Sequence, residues 1–456
     1  MSTPLYDALR ALAAQNTARF HMPGHKGRPA FPGFDELFAI DFTETYDTGN
    51  LYEAEGPIRQ AEQLAAAFFR AADCHFLTGG SSQGIVAMLG AVCGDGGKVL
   101  LDRACHKSAM HACALFDLEP AFLSPDVLPY AGCGGVIDLA AAEEALQANP
   151  DAAALLIVSP NYYGVMQPIA ELAALCHRCG KKLLVDGAHG AHLDASGCRN
   201  PVAAGADAAV LSAHKTLPAL GQAAYLLCGP SSIDSAGLRR FEAMCGTSSP
   251  SYPIMASLDL AREFLQTHSA EYAAAVRETA RLRRKYDGKN GLRALTGADA
   301  PLDPLRLTVS CPDGRTLSDT LYKSYGVACE MADRFNLVFI VTPADLPANL
   351  ARLEAALDAC APNAPLAPPV FAVPPAPVRA CPVRQALLSP AKAVPLREAA
   401  GQVCARPVTP YPPGIPLLWP GEEIPVKHIE FLTDRCYNTV SEVFICTNLP
   451  RRGESQ

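Results

Sequence analysis

The sequence predicts an α/β fold built on a largely parallel, doubly wound sheet. Apolar runs of strand length alternate with helical patterns through 74–211, which is the order typical of βαβ units. Several of these runs end directly in polar side chains, and the first opens into a serine-rich loop. Because such sheets bind ligands beyond the carboxyl ends of their strands, these polar residues are the first candidates for a functional site.

The length of the chain predicts more than one domain. With 456 residues it exceeds one ordinary hydrophobic core, and 49% hydrophobic against 18% charged residues allows a large buried interior. We expect an N-terminal segment (1–45), a large domain (46–290), a small α/β domain (291–360), a proline-rich linker (361–382) and a C-terminal domain (383–456).

Composition also restricts the class of partner. A formal net charge of −8 argues against nucleic acid and suits an enzyme of small, cationic molecules. No apolar run approaches the roughly 18 residues of a membrane span, and the first residues lack the layout of a secretory signal. The 17 cysteines are scattered, which favours reduced thiols. We therefore expect a cytoplasmic protein with no membrane partner.

Local patterns place the elements in order. Apolar residues at helical spacing, such as Ile58, Ala61 and Phe68, predict amphipathic helices. The predicted helices cover 5–14, 58–71, 169–179, 257–265, 271–286 and 346–357. The predicted strands cover 74–77, 98–101, 154–158, 181–185, 208–211, 305–309 and 337–341.

The N-terminal segment carries His21 and His25 at the spacing of a metal-binding helix face. Pro23 and Gly24 lie between them and disfavour a helix. We predict a loop without a metal here, and an anion contact or a place at a subunit interface stays open.

The loop after the first predicted strand contains Gly80, Ser81 and Ser82 and opens into an apolar helix. Free backbone N–H groups at a helix N-terminus bind phosphates, and the serine hydroxyls add donors. Such loops also serve as plain turns and N-caps. The motif gains weight only in combination with further residues.

Two successive predicted strands are followed by side chains of opposite charge. The run 181–185 ends in Asp186, and the run 208–211 leads through Ser212 and His214 to Lys215. Enzymes of pyridoxal 5′-phosphate (PLP) hold the cofactor as a Schiff base of a lysine and pair its ring nitrogen with an acid. Taken singly, each residue is more often a surface lysine or a turn aspartate, but the pair with the serine loop favours a PLP site.

Three further side chains are candidates. His106 follows the strand predicted after the serine loop and could lie against a cofactor ring, although a lone histidine there is more often structural. Glu330 and Asp333 lie between the strands of the small unit. They could face a cationic substrate side chain or form a solvated turn.

The ordered motifs resemble the short form of the ornithine/lysine/arginine decarboxylase family, PLP enzymes of the aspartate-aminotransferase-like fold (fold type I). The motifs that carry the resemblance are Pro23-Gly24-His25, Glu55-Gly56-Pro57-Ile58, Gly80-Ser81-Ser82, Asp102-Arg103 with Cys105-His106-Lys107-Ser108, Asp186 with Ala188-His189-Gly190, Ser212-Ala213-His214-Lys215-Thr216, Tyr411-Pro412-Pro413-Gly414 and Pro420-Gly421-Glu422. Together they span almost the whole chain.

The resemblance implies a role for each matching residue. Lys215 would form the Schiff base, Asp186 would bind the pyridine nitrogen, and His106 would stack on the ring with Ala188 on its other face. The residues expected to hold the phosphate are Ser81, Ser82, Ser212 and His214, and Gly80 and His189 are expected to contact the cofactor beside them. The family's usual dimer shares its active sites across the subunit interface, so we expect a homodimer or a higher even oligomer.

The implied reaction is decarboxylation of arginine, lysine or ornithine to the amine and CO2. Three departures from the family pattern leave the substrate open: Gly79 replaces a common Asn, Gly187 replaces a common Glu, and Arg406 stands where a glutamate is usual. Arg406 could reverse the charge of a substrate-facing position. Another PLP reaction, such as transamination or aldol cleavage, and a catalytically silent regulatory paralogue are the alternatives.

Overall fold

The computed structural model describes residues 2–15, 17–28, 31–129, 131–230, 233–360, 362, 376–410, 415–434 and 440–448. Most of the predicted proline-rich linker (363–375) and the motif Tyr411-Pro412-Pro413-Gly414 lie outside the described residues. No helix in the described ranges is both long and apolar enough to cross a bilayer.

The helices are α1 (Pro4–Ala14), α2 (Asp35–Ile40), α3 (Gly56–Phe69), α4 (Gly80–Cys93), α5 (Lys107–Leu115), α6 (Leu139–Ala148), α7 (Ile169–Arg178), α8 (Ala213–Thr216), α9 (Ser235–Cys245), α10 (Tyr252–Thr267), α11 (Ser269–Tyr286), α12 (Gly314–Tyr325), α13 (Ala348–Cys360), α14 (Val383–Leu388) and α15 (Val426–Asp434). The strands are β1 (Asp73–Leu77), β2 (Lys98–Asp102), β3 (Glu119–Leu123), β4 (Ala152–Val158), β5 (Lys182–Asp186), β6 (Ala208–Ser212), β7 (Ala224–Cys228), β8 (Arg293–Ala294), β9 (Arg306–Ser310), β10 (Met331–Ala332), β11 (Asn336–Ile340), β12 (Ala391–Pro395) and β13 (Glu442–Cys446).

The large sheet has seven strands in the order β1-β7-β6-β5-β4-β2-β3. Strands β3, β2, β4, β5 and β6 pair in parallel, whereas β7 is antiparallel to both of its neighbours. The connection 213–223 between β6 and β7 is too short for a crossover, which needs about a dozen residues or more. The predicted mostly parallel sheet is therefore confirmed, with one reversed strand that the sequence pattern did not indicate.

The central strands bury both faces. In β5 the side chains of Leu183 and Val185 enter the core under α3, α7 and α10, whereas Leu184 enters the core under α4, α5 and α9. Side chains alternate between the two faces of a strand, so a fully apolar run fills two cores at once. This two-layer covering by helices confirms the doubly wound arrangement.

Helix α4 lies close against the sheet at Gly84. A Cβ built on Gly84 would stand 2.7 Å from Leu77 Cδ1 of β1 and 2.8 Å from Val210 Cγ2 of β6. Only a residue without a side chain permits this approach. The first turn of α4 is consequently held beside the carboxyl ends of β1 and β6.

A second sheet, β10-β11-β9-β8, is antiparallel throughout. Its apolar side chains, including Leu307, Leu337 and Phe339, continue the larger of the two cores described above. The small sheet thereby shares a core with the large domain and packs against α11, and β9 begins at the edge of the site described below.

The C-terminal strands β12 and β13 form a two-stranded sheet over a separate small core. The contacts that attach this unit to the large sheet include an ion pair and an aromatic pair. Arg103, directly after β2, donates to both carboxylate oxygens of Glu422 at 2.6 and 2.8 Å, and the buried Trp419 packs edge-on against Phe122 of β3. A bidentate pair of this kind fixes orientation as well as distance.

Replacing Gly84 with alanine should destabilise the protein, although alanine is the better helix former. The added methyl group meets Leu77 and Val210, and overpacking of this kind costs roughly 1–3 kcal/mol. Thermal unfolding followed by circular dichroism measures the change. Gly297→Ala is the control, because no atom lies within 4 Å of its Cβ position; equal midpoints for the two variants would contradict the close packing of α4.

Candidate active site

A cavity of about 580 Å³ opens at the carboxyl ends of the parallel strands, between the large sheet and the C-terminal unit. Every residue predicted to contact the cofactor lines it: Gly80, Ser81, Ser82, His106, Asp186, Ala188, His189, Ser212, His214 and Lys215. The individual roles of these residues stay predictions, but their common location is an observation.

Lys215 lies on the single helical turn α8 that follows β6. Its Nζ is 3.2 Å from Nε2 of His189. Burial lowers the pKa of Lys215; Asp186 opposes that change and Arg306 adds to it. A lysine with a lowered pKa carries a larger fraction of free amine at neutral pH, which is the nucleophilic form.

Asp186 ends β5 and is 4% exposed. Its Oδ1 accepts the backbone N–H of Ala188 at 3.1 Å, so the turn after the strand fixes the carboxylate. Asp102, at the end of β2, accepts the N–H groups of Ala104 and Val158. Burial raises the pKa of Asp102 to about 6, and the charge of Asp186 adds to that rise.

The first turn of α4 forms a cradle of donors beside β6. Gly80 has a φ of +69°, and the helix starts without a side-chain cap among the described residues, which leaves its first N–H groups for an external acceptor. Ser81 Oγ lies 2.6 Å from Ser212 Oγ, so hydroxyls from two elements meet there. These donors fit a phosphate group.

His214 and His106 are each held by a hydrogen bond that defines the proton on the ring. His214 donates from Nδ1 to the carbonyl of Ala223 at 3.0 Å. His106 caps α5, and its Nδ1 accepts the backbone N–H of Ser108 at 3.3 Å. Burial lowers the pKa of His106, with Asp186 raising it and Lys215 lowering it. A neutral imidazole suits stacking on a pyridine ring.

The two acids predicted for the substrate differ in position. Glu330 Oε1 accepts the hydroxyl proton of Tyr162 at 2.6 Å, and Tyr162 lines the cavity. Neither Glu330 nor Asp333 lines the cavity itself, whereas Tyr163, which binds Asp333, does. The Asp333 carboxylate accepts from Tyr163 Oη, from the backbone of Phe335 and from both the backbone and the side chain of Asn336, so it holds a loop. Of the two acids, Glu330 is the one whose charge acts on Lys215; a role of either acid toward a substrate stays a prediction.

Two of the departures from the family pattern have defined surroundings. A Cβ at Gly187 would lie 2.8 Å from Leu211 Cδ2, so this turn packs tightly on β6. Arg406 is exposed and its guanidinium lies 3.9 Å above the ring of Phe444. It does not line the cavity of its own chain, and its place relative to a substrate stays a prediction.

Among the described residues no group of three or more candidate metal ligands is present. His25 instead pairs with Asp41 at 3.1 Å and stacks on Phe38, in the loop that was predicted for this segment.

Arg306, the first residue of β9, was not predicted as a site residue from the sequence. It is 2% exposed, and its Nη2 lies 3.0 Å from Nδ1 of His189. The signal was an arginine inside the apolar run 305–309, because a charge is rarely buried in a strand without a partner. Tyr162, Asn161 and Gln222 also line the cavity and were not singled out as site residues.

Comparison with known proteins agrees with this geometry. The model of the "Orn/Lys/Arg decarboxylase, major domain" matches residues 3–302, and that of the C-terminal domain of the same family matches residues 372–436. The uncharacterized protein YaaO of Bacillus subtilis is 34% identical over 95% of this chain and 94% of its own length. An arginine decarboxylase of Bacillus subtilis is 31% identical over 94% of this chain and 93% of its own length.

Solved structures support the fold. The lysine decarboxylase of Francisella novicida superposes with a TM-score of 0.83 at 18% identity, covering 98% of this chain and 81% of that chain. The constitutive lysine decarboxylase of E. coli gives 0.78 at 21% identity, covering 95% and 77%. The fold is thus that of PLP fold type I, as predicted. The chain belongs to the ornithine/lysine/arginine decarboxylase family.

Proposed function

We propose that the protein binds PLP at Lys215 and decarboxylates a basic amino acid, arginine, lysine or ornithine, to the amine and CO2. One observation carries the proposal: Lys215, Asp186 and the donors of the α4 N-terminus line a single cavity. An amine, an acid and a phosphate cradle are the three contacts that PLP requires.

The residues divide the work by position. PLP bound here would supply an electron sink for the bond that breaks at the substrate Cα. Ser81, Ser212 and the first N–H groups of α4 would hold the phosphate. Asp186 would keep the ring nitrogen protonated, and His106 would cover one face of the ring and exclude water. Lys215, freed when the substrate amine replaces it, would hold the proton for return to Cα.

Glu330 supports a cationic substrate. Its carboxylate is joined to Tyr162 at the cavity wall, and it contributes negative potential at both Lys215 and Arg306. A guanidinium or ammonium group at the distal end of a substrate would be attracted to this position.

The protein's surroundings are part of the proposal. The described cysteines are free, in keeping with the reducing cytoplasm. We also propose a homodimer, because an apolar patch of the N-terminal segment is exposed: Phe20 by 95%, Phe31 by 62% and Phe34 by 46%. Patches of this kind mark association surfaces.

After unbound PLP is removed, purified protein should keep an absorption band in the visible range and Lys215→Ala should not, because the lysine link retains the cofactor. Lys107→Ala is the matched control, since Lys107 lines the same cavity and should keep the colour. Absorption spectra of the three proteins test the assignment; colour retained in Lys215→Ala would contradict it.

Carbon dioxide release from arginine, lysine and ornithine tests the reaction itself. We expect release from at least one of them, with the matching amine in equal amount. A keto acid without CO2 would replace decarboxylation by transamination, and an inert, colourless protein would favour a regulatory paralogue.

Glu330→Gln should raise the KM for the preferred basic amino acid by roughly fivefold, the scale of one exposed ion pair, with a smaller change in kcat. Steady-state kinetics measures both. Asp333→Asn is the contrast: it should lower the thermal midpoint, because its carboxylate holds a loop, and leave KM unchanged. A KM that responds to Asp333 and not to Glu330 would reverse the assignment.

If the protein is a dimer, light scattering should give a mass in solution near twice 48.2 kDa. Phe34→Glu should shift the protein toward the monomer, because it charges the apolar patch. Leu388→Glu, at another exposed apolar residue, should not. A wild-type monomer would refute this surface as an interface.

A further inference from the structure

A line of three side chains runs from the small sheet into the cavity. Arg306 Nη2 lies 3.0 Å from His189 Nδ1, and His189 Nε2 lies 3.2 Å from Lys215 Nζ. Arg306 and His189 are 2% and 6% exposed, so their contact is shielded from solvent, whereas the contact of His189 with Lys215 is partly buried. None of the roles assigned above uses Arg306.

The chemistry of arginine determines the tautomer of His189. A guanidinium can only donate hydrogen bonds, so Nδ1 of His189 must be the unprotonated acceptor. The ring proton is then on Nε2 and points at Lys215 Nζ. A donor directed at an amine nitrogen requires the lone pair of the neutral amine, because an ammonium group has only protons to offer.

The charges around this line favour the same state. Burial, followed by the charges of Arg306 and Lys215, holds the pKa of His189 well below its usual value, so the ring is neutral. Further charged and titratable groups facing the line are Asp186, Glu330, His106, His192, Asp303 and Tyr162. Of these, Asp186 and Glu330 oppose deprotonation of Lys215.

The backbone is shaped to admit the arginine. Gly164 has a φ of +91°, and a Cβ there would lie 2.6 Å from both Cβ and Cγ of Arg306. Nε of Arg306 is 3.8 Å from Asp303 Oδ2, too long for a hydrogen bond, and Nε and Nη1 have no hydrogen-bond partner among the described residues. Among the described residues, the hydrogen bond to His189 is therefore the one well-formed hydrogen bond of the buried Arg306 guanidinium.

We propose that Arg306 is a positioning residue: it fixes His189 as the Nε2–H tautomer and, through that ring, holds the amine of Lys215 neutral and aimed into the cavity. The inference rests on the proposed role of Lys215. The protonation of Lys215 is nevertheless a property of the chain without PLP, so it can be tested separately from the reaction.

The experiment measures how readily Lys215 is acetylated by acetic anhydride as a function of pH, in the full-length protein freed of PLP, with the modified peptide quantified by mass spectrometry. Arg306→Gln should raise the pH midpoint of Lys215 labelling by about one unit, the scale of one altered neighbour at a partly buried site. The amide can accept from Nδ1–H, which releases the other tautomer. Arg306→Lys keeps a donor-only cation and should stay near the wild-type midpoint.

A double-mutant comparison separates the proposed route from a direct charge effect. The shift caused by Arg306→Gln should be larger with His189 present than in a His189→Gln background. An equal shift in both backgrounds, or no shift, would overturn the proposal. Should Arg306→Gln fail to fold, His189→Gln alone decides the point: its midpoint should rise although Arg306 is intact, and an unchanged midpoint refutes the route.

The outcomes for the two proposals are distinguishable. If the labelling shifts occur as expected but Lys215 never takes up PLP, the proposed function fails and the positioning role of Arg306 stands. If PLP binds and CO2 is released but Lys215 labelling is indifferent to Arg306, the function stands and the positioning role is wrong.

Discussion

The site depends on placing the amine of Lys215 in a shielded cavity beside the carboxylate of Asp186. Burial alone disfavours the charged ammonium, whereas a nearby carboxylate favours it. In this chain burial prevails and the pKa of Lys215 is lowered. A buried lysine with a lowered pKa beside a carboxylate is the arrangement that would let the amine form a Schiff base and place a counter-charge near a ring nitrogen.

The architecture serves that condition by bringing strand ends together. The parallel strands β2, β5 and β6 end in Asp102, Asp186 and Ser212. Strand β5 pairs directly with β6, and β4 lies between β5 and β2. Residues far apart in sequence therefore share one edge of the sheet. Gly84 lets α4 approach that edge, and the Arg103–Glu422 pair keeps the C-terminal unit over it. The small sheet contacts the site through Arg306 of β9, which binds His189 at the cavity wall. The contacts that pack these elements together thus also assemble the site.

Much of this site is predictable because the residues concerned follow strands directly. Lys215, Asp186 and the serine loop need only the rule that the carboxyl ends of parallel strands converge. The same local patterns predicted most strands of the large sheet, and most of the helices that cover it, to within a few residues. The ordered motifs then identified the family, since their sequence order and identity are specific even where each alone is not.

The remainder required three-dimensional information. Arg306 reaches His189 from a different sheet, and no spacing rule connects the two positions. Glu330 and Asp333 lie close in sequence and both carry a carboxylate. Only the fold shows that the carboxylate of Asp333 accepts hydrogen bonds from Asn336 and Tyr163. Strand β7 has the same apolar pattern as a parallel strand, and its direction follows from the length of the connection before it. Arg406 was judged by its place in a motif, whereas its contact with Phe444 is set by the C-terminal fold.

The most direct test of the central claim is to locate the covalent bond. The protein is incubated with PLP, reduced with borohydride, digested and mapped by mass spectrometry. We expect a pyridoxyl group on the peptide that contains Lys215. Lys215 should be the lysine that carries it in stoichiometric amount, and no other lysine should. A stoichiometric adduct on another lysine, Lys107 included, or no adduct at all, would contradict it.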